Sequence, residues 1–299
     1  MSKILLNLKN IKLTLGLILL VVIVVTGGVF VYQKFISPES QSDLEEVDLA
    51  FDAEGPYALL LPRRDGNALI LSLKRTSSYD EISYELAYTS LVDEVVVENS
   101  RSKSTDDGEG GGESIDRGVV GIINVAQKKG EYEQEILFGT CSKNVCKYDK
   151  GVENGTLTLH IKKGRQSFRM ITQWHLQKPD VALGLLTSGD GHFSFKTPAK
   201  REELAVTGFT IINDVTGVPK LPSEKVVLGK VYALNTPLAK DLTEGVVSIE
   251  LAETPSVDYK IARFDEGQNK WEELNTKVEG SKLSAQTSGA GIFAVLKSK

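Results

Sequence analysis

Cysteine, histidine and tryptophan are scarce in this sequence of 299 residues, which contains two, three and two of them. Structural zinc sites and iron–sulfur clusters usually take four ligands from cysteine and histidine residues at short spacings. Two cysteines and three scattered histidines do not supply such a set. The sequence therefore predicts no metal site.

Motifs for catalysis and cofactor binding are also missing. Neither spacing of a glycine-rich phosphate loop occurs, and no Gly-x-Ser-x-Gly segment presents a nucleophile. We therefore predict no catalytic or cofactor-binding residue, no cofactor, and a protein that is not an enzyme. An active site assembled from distant loops would leave no such motif, so a hydrolase remains the alternative.

Acidic side chains are absent from the first 34 residues, which contain four lysines: Lys3, Lys9, Lys12 and Lys34. The whole chain carries −5 at pH 7, so these four positive charges leave −9 for the remainder. An acidic body repels the phosphate backbone of DNA and RNA. Nucleic acid is therefore not an expected partner.

A stretch of twenty uncharged residues runs from Leu13 to Tyr32 (LTLGLILLVVIVVTGGVFVY). A helix of that length spans about 30 Å, the thickness of the hydrocarbon core of a bilayer. We predict a transmembrane helix at residues 13–33, which contacts the lipid bilayer. Because lysines concentrate on the cytoplasmic side, residues 1–12 become a cytoplasmic tail. The chain is then a single-pass protein of the cell membrane with its body outside the cytoplasm.

Other N-terminal signals fit this stretch less well. A cleaved signal peptide has a shorter apolar segment that ends in small residues, and here Thr26-Gly-Gly is followed by further apolar residues. A lipoprotein would need a cysteine at that point, and the first cysteine is Cys141. A type IV pilin would need an early glutamate, and none precedes Glu39. An uncleaved signal-anchor is favoured, with cleavage left open, and the serine-rich and acidic residues 34–50 predict a short stalk.

Short runs of alternating apolar and polar residues follow the stalk, separated by turn residues and without a convincing amphipathic helix. This pattern is typical of β-sandwiches and barrels. Alternation places Ile82, Tyr84, Leu86 and Tyr88 on one face of their strand, and Leu157, Leu159 and Ile161 on one face of theirs. The predicted strands are 67–74, 82–89, 95–97, 118–125, 135–138, 156–162, 168–176, 208–212, 225–234, 245–251, 257–264, 282–286 and 291–296. We predict an all-β fold of two antiparallel sandwich units, residues 51–181 and 182–299, divided where Gln177-Lys-Pro-Asp breaks the pattern.

The C-terminal stretch Val257–Leu296 resembles a known module. Its segments Tyr-Lys-Ile-Ala-Arg-Phe-Asp, Lys-Trp-Glu-Glu-Leu, Leu-Ser-Ala-Gln-Thr and Gly-Ile-Phe-Ala-Val-Leu look like the C-terminal Ig-like β-sandwich module of many bacterial cell-surface proteins. The anchored layout is similar to that of uncharacterised single-pass bacterial cell-envelope proteins. This resemblance implies Ig-like units and surface display, and it brings no catalytic residues. In such modules the tryptophan, here Trp271, packs against the sheet, with Phe264, Ile292 and Val295 as its expected contacts.

Cys141 and Cys146 lie in the segment Thr-Cys-Ser-Lys-Asn-Val-Cys-Lys of the first unit. Outside the cytoplasm such a pair is typical of a disulfide that closes a hairpin loop. The spacing is not Cys-x-x-Cys and no histidine stands nearby, so a zinc or redox role is not favoured. We predict a structural disulfide between Cys141 and Cys146.

Three further sequence features each have a plain structural interpretation. In the acidic loop 104–116 the aspartates do not alternate as in a calcium loop, so solvated charge is expected and calcium binding is left open. His160, His175 and His192 are not expected to converge on one site, and His192 lies in Ser188-Gly-Asp-Gly-His, which predicts a tight turn. Asn154-Gly155 is a glycosylation sequon with the following threonine, but Asn-Gly between two strands predicts a hairpin turn.

An anchor, a stalk and sandwich units together predict a display or binding protein of the cell envelope, with an adhesion, assembly or scaffold role. Its partner would be an extracytoplasmic protein or glycan. An envelope hydrolase is the alternative. A deep pocket with convergent acids would favour the hydrolase, and a flat surface rimmed by loops would favour binding.

Overall fold

The computed structural model describes residues 46–49, 55–76, 78–92, 114–125, 130–143, 145–179, 183–217, 221–237, 242–256, 258–266 and 268–299. The predicted cytoplasmic tail, membrane helix and most of the stalk lie outside these residues, as do the predicted strand 95–97 and most of the acidic loop. In the described part of the chain, no helix is both long and apolar enough to cross a bilayer.

The described body contains twenty strands and one helix. In chain order they are β1 (Val47–Asp48), β2 (Tyr57–Pro62), β3 (Ala68–Lys74), β4 (Glu81–Leu91), β5 (Ser114–Ile123), β6 (Tyr132–Leu137), β7 (Gly139–Ser142), β8 (Val145–Tyr148), β9 (Asn154–Lys163), β10 (Gln166–Gln177), β11 (Leu185–Thr187), β12 (Phe193–Lys196), α1 (Arg201–Thr207), β13 (Thr210–Asp214), β14 (Lys225–Asn235), β15 (Gly245–Glu250), β16 (Lys260–Asp265), β17 (Lys270–Glu273), β18 (Thr276–Glu279), β19 (Lys282–Thr287) and β20 (Gly291–Ser298). The prediction of an all-β body is confirmed.

Ten strands form one large sheet, called here the main sheet. Its hydrogen-bonded order is β17-β16-β20-β14-β13-β10-β9-β4-β5, and β1 pairs in parallel with the start of β10. The other pairings in it are antiparallel. Strands β2-β3-β6 form a back sheet, strands β11-β12-β15-β19-β18 form a front sheet, and β7-β8 is a separate hairpin.

The back sheet packs against β4, β9 and β10 of the main sheet. In β4 the predicted face of Ile82, Tyr84, Leu86 and Tyr88 is buried, and the side chains between them are more exposed. Strand β9 alternates in the same way, as its sequence predicts. The buried sides meet Leu69, Leu71 and Leu73 of β3 in one core cluster. One face of these strands is therefore covered and the other, their front face, is open.

Strands β13, β14, β16 and β20 are covered on both faces. Their front-facing residues, such as Phe293 and Tyr232, share a cluster with Phe193 and Phe195 of the front sheet. Their back-facing residues, such as Ile292 and Ala294, share another cluster with β2. Trp271 belongs to this back cluster, at a ring-centroid distance of 5.5 Å from Phe264. Of the predicted contacts of Trp271, Phe264 and Ile292 lie in the same cluster as the indole ring. The predicted contact with Val295 was wrong, because Val295 points to the front and belongs to the front cluster.

The main sheet continues across the predicted boundary at residues 181/182. Residues Trp174–Gln177 of β10 pair with Thr210–Asn213 of β13, and Glu46–Lys299 forms one compact unit. Strand β2 also contributes to two cores, with Ala58 and Leu60 on one side and Tyr57 and Leu59 on the other. The division into two units and their Ig-like form therefore remain predictions. The structure shows in addition that one sheet continues across the predicted boundary.

Two local predictions were wrong. Asn154 and Gly155 do not form a hairpin turn but begin β9, where Gly155 faces Trp174 across the sheet. The indole ring of Trp174 occupies the space that a Cβ at this position would need, so the glycine serves close packing and not a turn. The helix α1 was also missed: it has only seven residues, and Glu203 at its start accepts a hydrogen bond from the backbone N–H of Lys200.

Candidate functional site

The candidate functional site is a groove of about 600 Å³ where the front sheet ends and the open front face of the main sheet begins. The turn Ser188–Asp190, between β11 and β12, forms one wall. The side chains on the floor come from six neighbouring strands of the main sheet, and those used below are Thr89, Asp116, Thr156, Gln173, Asp214, Lys230 and Tyr232. The groove exists because the front sheet covers only part of the main sheet.

The wall is a tight turn built around Asp190. The backbone N–H groups of Ser188 and Gly191 close it, bonding to the carbonyls of Phe193 and Ser188 at 3.0 Å each. Gly191 has φ +73°, a backbone conformation that residues other than glycine rarely adopt. Asp190 Oδ1 accepts hydrogen bonds from Ser188 Oγ at 2.5 Å and from the backbone N–H of His192 at 3.1 Å. The sequence Ser-Gly-Asp-Gly-His predicted this turn but not the role of its aspartate.

The second oxygen of Asp190 faces strand β14. It accepts hydrogen bonds from Lys230 Nζ at 3.0 Å and from Tyr232 Oη at 3.1 Å. Burial alone would raise the pKa of Asp190, but the bonds from Ser188, Lys230 and His192 outweigh it and lower the pKa to about 2. Burial raises the pKa of Tyr232, and the charge of Asp190 beside its hydroxyl raises it further. Asp190 is thus an ionised carboxylate that four donors hold in place.

Lys230 reaches the groove because β14 is irregular. The register of β14 against β20 shifts between Leu228 and Tyr232, and Gly229 within this segment has φ +67°. Such a bulge re-aims a side chain, and bulges are enriched beside active and binding sites. Lys230 Nζ lies 3.6 Å from Asp214 Oδ2 in addition to its bond with Asp190. Gly229-Lys230 inside an apolar strand is the sequence signal that would have indicated the bulge.

Asp214 lies at the end of β13, where the pairing with β10 stops. Its Oδ1 accepts a hydrogen bond from the backbone N–H of Gln173 and so continues the ladder with a side chain. Burial raises the pKa of Asp214, and the charge of Asp190 adds to this, against the opposing effects of Gln173 and Lys230. Asp190 and Asp214 share Lys230 as a neighbour, yet their environments shift their pKa values in opposite directions.

The rest of the floor is polar and mostly uncharged. Thr89 donates a long hydrogen bond of 3.4 Å to Asp116. Within the described residues, the hydroxyl of Thr156 and the side-chain amide of Gln173 bond to no other side chain or backbone group, so both are available to a ligand. At the far end, Asp149 accepts a bond from Tyr88 at 2.8 Å and lies 3.7 Å from Arg117. The cations Lys230 and Arg117 are therefore both paired with carboxylates, and the unused hydrogen-bonding capacity includes the hydroxyl of Thr156 and the amide of Gln173.

The three histidines lie apart. His160 Nδ1 is 2.8 Å from Glu46 Oε1, and His192 is an exposed residue of the turn. His175 Nδ1 is 2.7 Å from Asn154 Oδ1, and burial lowers the pKa of His175. The hydroxyl of Ser188, the serine of the groove wall, bonds to Asp190 and not to a histidine. In the described part of the chain, no cluster of three metal-ligating side chains occurs.

The predicted disulfide is confirmed. Cys141 and Cys146 are bonded and face each other in the hairpin of β7 and β8. The side chains of this hairpin are largely exposed, so the bridge and not a core fixes its shape. Neither cysteine lines the groove.

Comparison with known proteins adds no family to this description. No protein-family model matches the sequence, and no curated protein matches it either. The groove between the turn Ser188–Asp190 and the open face of the main sheet therefore carries the functional argument by its own geometry.

Proposed function

We propose that this chain is a membrane-anchored, extracytoplasmic binding protein that takes an uncharged, hydroxyl-rich ligand, such as an envelope glycan, in the groove. The observation that carries this proposal is the groove itself, about 600 Å³ in volume, since ligand sites commonly enclose 300–1,000 Å³. The sequence supports the anchor through its uncharged stretch at residues 13–33. The Ig-like form of the two units belongs to the same proposal.

The ligand class follows from the polar groups that line the groove. Among the described residues that line the groove, both cations are held in ion pairs, Lys230 with Asp190 and Arg117 with Asp149, so neither is free for an anionic ligand. Thr156 and Gln173 offer groups that both donate and accept hydrogen bonds, which suits vicinal hydroxyls. Neighbouring strands place such groups about 5 Å apart in a plane, a spacing that an extended sugar chain can follow.

A glycoside hydrolase is the second candidate, and one observation favours it. Two carboxyl groups whose pKa values are shifted apart are the usual acid and base of such enzymes, and Asp214 and Asp190 form such a pair. Against it, Asp190 already accepts four hydrogen bonds and is held by Lys230, which makes it a weak base. Binding without turnover fits this arrangement better.

Topology is the first test. Protease added to intact cells or spheroplasts is expected to digest the body and to leave the N-terminal tail protected, because Lys3, Lys9 and Lys12 mark the cytoplasmic side. An accessible N-terminus with a protected body would contradict the proposed orientation.

Ligand binding is the second test. Full-length protein in detergent is titrated with chitotetraose, maltotetraose and cellotetraose by calorimetry and NMR. Thr156→Lys places a long cation on the groove floor and is expected to abolish binding. Thr158→Lys is the matched control, because Thr158 lies on the same strand and face but does not line the groove. No binding of any tetrasaccharide, or equal loss in both variants, would contradict the proposal.

Turnover of the same sugars separates the two candidates. Mass spectrometry of each tetrasaccharide after incubation is expected to show only the intact sugar. Cleavage that Asp214→Asn abolishes would instead establish the hydrolase and assign Asp214 as its acid.

A further inference from the structure

Strand β5 forms one end of the main sheet. It contains ten residues, Ser114–Ile123, and pairs with β4 along its full length. Within the part of the chain that the structure describes, no strand pairs with its other edge. A long open edge presents a row of backbone N–H and C=O groups that another strand can pair with.

The side chains of β5 are unusually exposed for a strand of this sheet. Val120 and Ile122 are each 75% exposed and Ile115 is 40% exposed, whereas the apolar residues of β4 that face the core are at most 8% exposed. Val120 and Ile122 lie on the open front face, next to each other along the strand. Soluble proteins usually protect such an edge with lysine, proline or a bulge, and the segment Gly118–Ile123 contains none of these.

The charge of β5 allows a second copy to be the partner. The chain beyond residue 34 carries −9, so two copies repel each other over most of their surface. Strand β5 is neutral, because Asp116 and Arg117 are its only charged residues. It is therefore a place where a second copy of this acidic chain can approach without like-charge repulsion.

We propose that β5 pairs with β5 of a second copy, antiparallel and about a two-fold axis, so that the two main sheets join edge to edge. The sequence of the strand supports one register, with Val120 opposite its own counterpart. Gly118 then faces Ile122 of the other copy, and the open space beside Gly118 accommodates that larger side chain. Asp116 and Arg117 are not opposite like charges in this register. A shift that sets Asp116 against Asp116 would be disfavoured.

The interface is small, since one strand edge buries less surface than a typical stable complex. A weak dimer is expected in dilute solution. Confinement of both copies to one membrane would raise their effective concentration and favour the pairing. The pairing leaves most of the groove open, because among the described residues that line it, those on β5 are Asp116 and Arg117 at one end.

Cysteine cross-linking tests the proposal directly. Both native cysteines are bonded to each other, so an introduced cysteine is the only thiol. Val120→Cys in the full-length protein is expected to form a covalent dimer on mild oxidation. Val246→Cys is the matched control on strand β15, where Val246 is 39% exposed, and is expected to stay monomeric.

Light scattering over a range of protein concentrations provides the second measurement. Val120→Lys is expected to raise the dissociation constant of the dimer about tenfold or more, because the two introduced ammonium groups would face each other. Circular dichroism of this variant checks that the fold is intact. A wild-type protein that stays monomeric without a cross-link at Val120, or a dimer that Val120→Lys leaves unchanged, would overturn the proposal.

Discussion

The two halves of the main sheet differ in how many of their faces are covered. Strand β20, in the half covered on both faces, buries five successive residues, Ile292 to Leu296. Strand β4, in the half covered on one face, alternates between buried residues and residues that are exposed or half-buried. A strand with two covered faces has to be apolar throughout, whereas a strand with one open face can carry a polar residue at every second position. The functional groups of the groove lie where the open half begins.

The largest expected effect tests this difference in coverage. Ile292→Ala and Phe293→Ala remove buried groups on opposite faces of β20, and each is expected to lower the free energy of unfolding by about 2–5 kcal/mol. In β4, Leu86→Ala should cost a similar amount, but Glu85→Ala should change it by no more than about 0.5 kcal/mol. Chemical denaturation of the four variants measures these changes in the free energy of unfolding. A large loss in Glu85→Ala would show that the front face of β4 is not open.

Trp271→Ala tests whether the two halves unfold together. Trp271 packs against Phe264 in the back cluster, and its removal is expected to lower the free energy of unfolding by about 3 kcal/mol. Because β10 and β13 are hydrogen-bonded across the predicted boundary, we expect one calorimetric transition that moves as a whole. A residual transition at the wild-type temperature would instead support the division at residues 181/182.

The hairpin of β7 and β8 lies outside the main sheet and is stabilised differently from both of its halves. Its side chains are mostly exposed, and the bond between Cys141 and Cys146 closes a very short loop. Cys146→Ser is expected to cost about 2 kcal/mol or less and to leave the fold intact, since a short loop has little entropy to lose. Thermal unfolding with and without reductant checks this. A global collapse on reduction would show that the hairpin supports the core.

The smallest expected effects concern the two aspartates of the groove. Asp190 has a pKa near 2, below its unfolded value, so its stabilisation is complete above about pH 4 and is lost as the pH falls towards 2. Asp190→Asn is expected to cost about 1–2 kcal/mol at pH 7, allowing for solvent screening, and almost nothing near pH 2.

Asp214 should behave in the opposite way. Its pKa is raised, so the folded state binds its proton more tightly than the unfolded state does. The free energy of unfolding therefore falls as the pH rises from the unfolded pKa, about 4, through the higher pKa of the folded state. Asp214→Asn is therefore expected to remove this fall and to leave the protein as stable at neutral pH, or slightly more stable. Denaturation curves from pH 2 to 7 compare the two variants. The same pH dependence in both would contradict their assignment to different roles.

The sequence by itself determined the local features of this protein. Alternation in residues 82–88 and 157–161 predicted which side chains face the core, because side chains on a strand point to opposite faces in turn. The spacing of Cys141 and Cys146 predicted their bond, and Ser-Gly-Asp-Gly-His predicted a turn. Each of these depends on neighbours only a few residues away.

Only the tertiary structure decided which distant residues meet. Asp190, Asp214 and Lys230 come from a turn, a strand end and a bulge, and no local pattern shows that these three places converge. Gly155 was misinterpreted as a turn residue because Trp174, which lies on the next strand, determines its role. The groove exists because the front sheet covers only part of the main sheet. How far the front sheet extends depends on how the whole layers pack together, which no local pattern in the sequence shows.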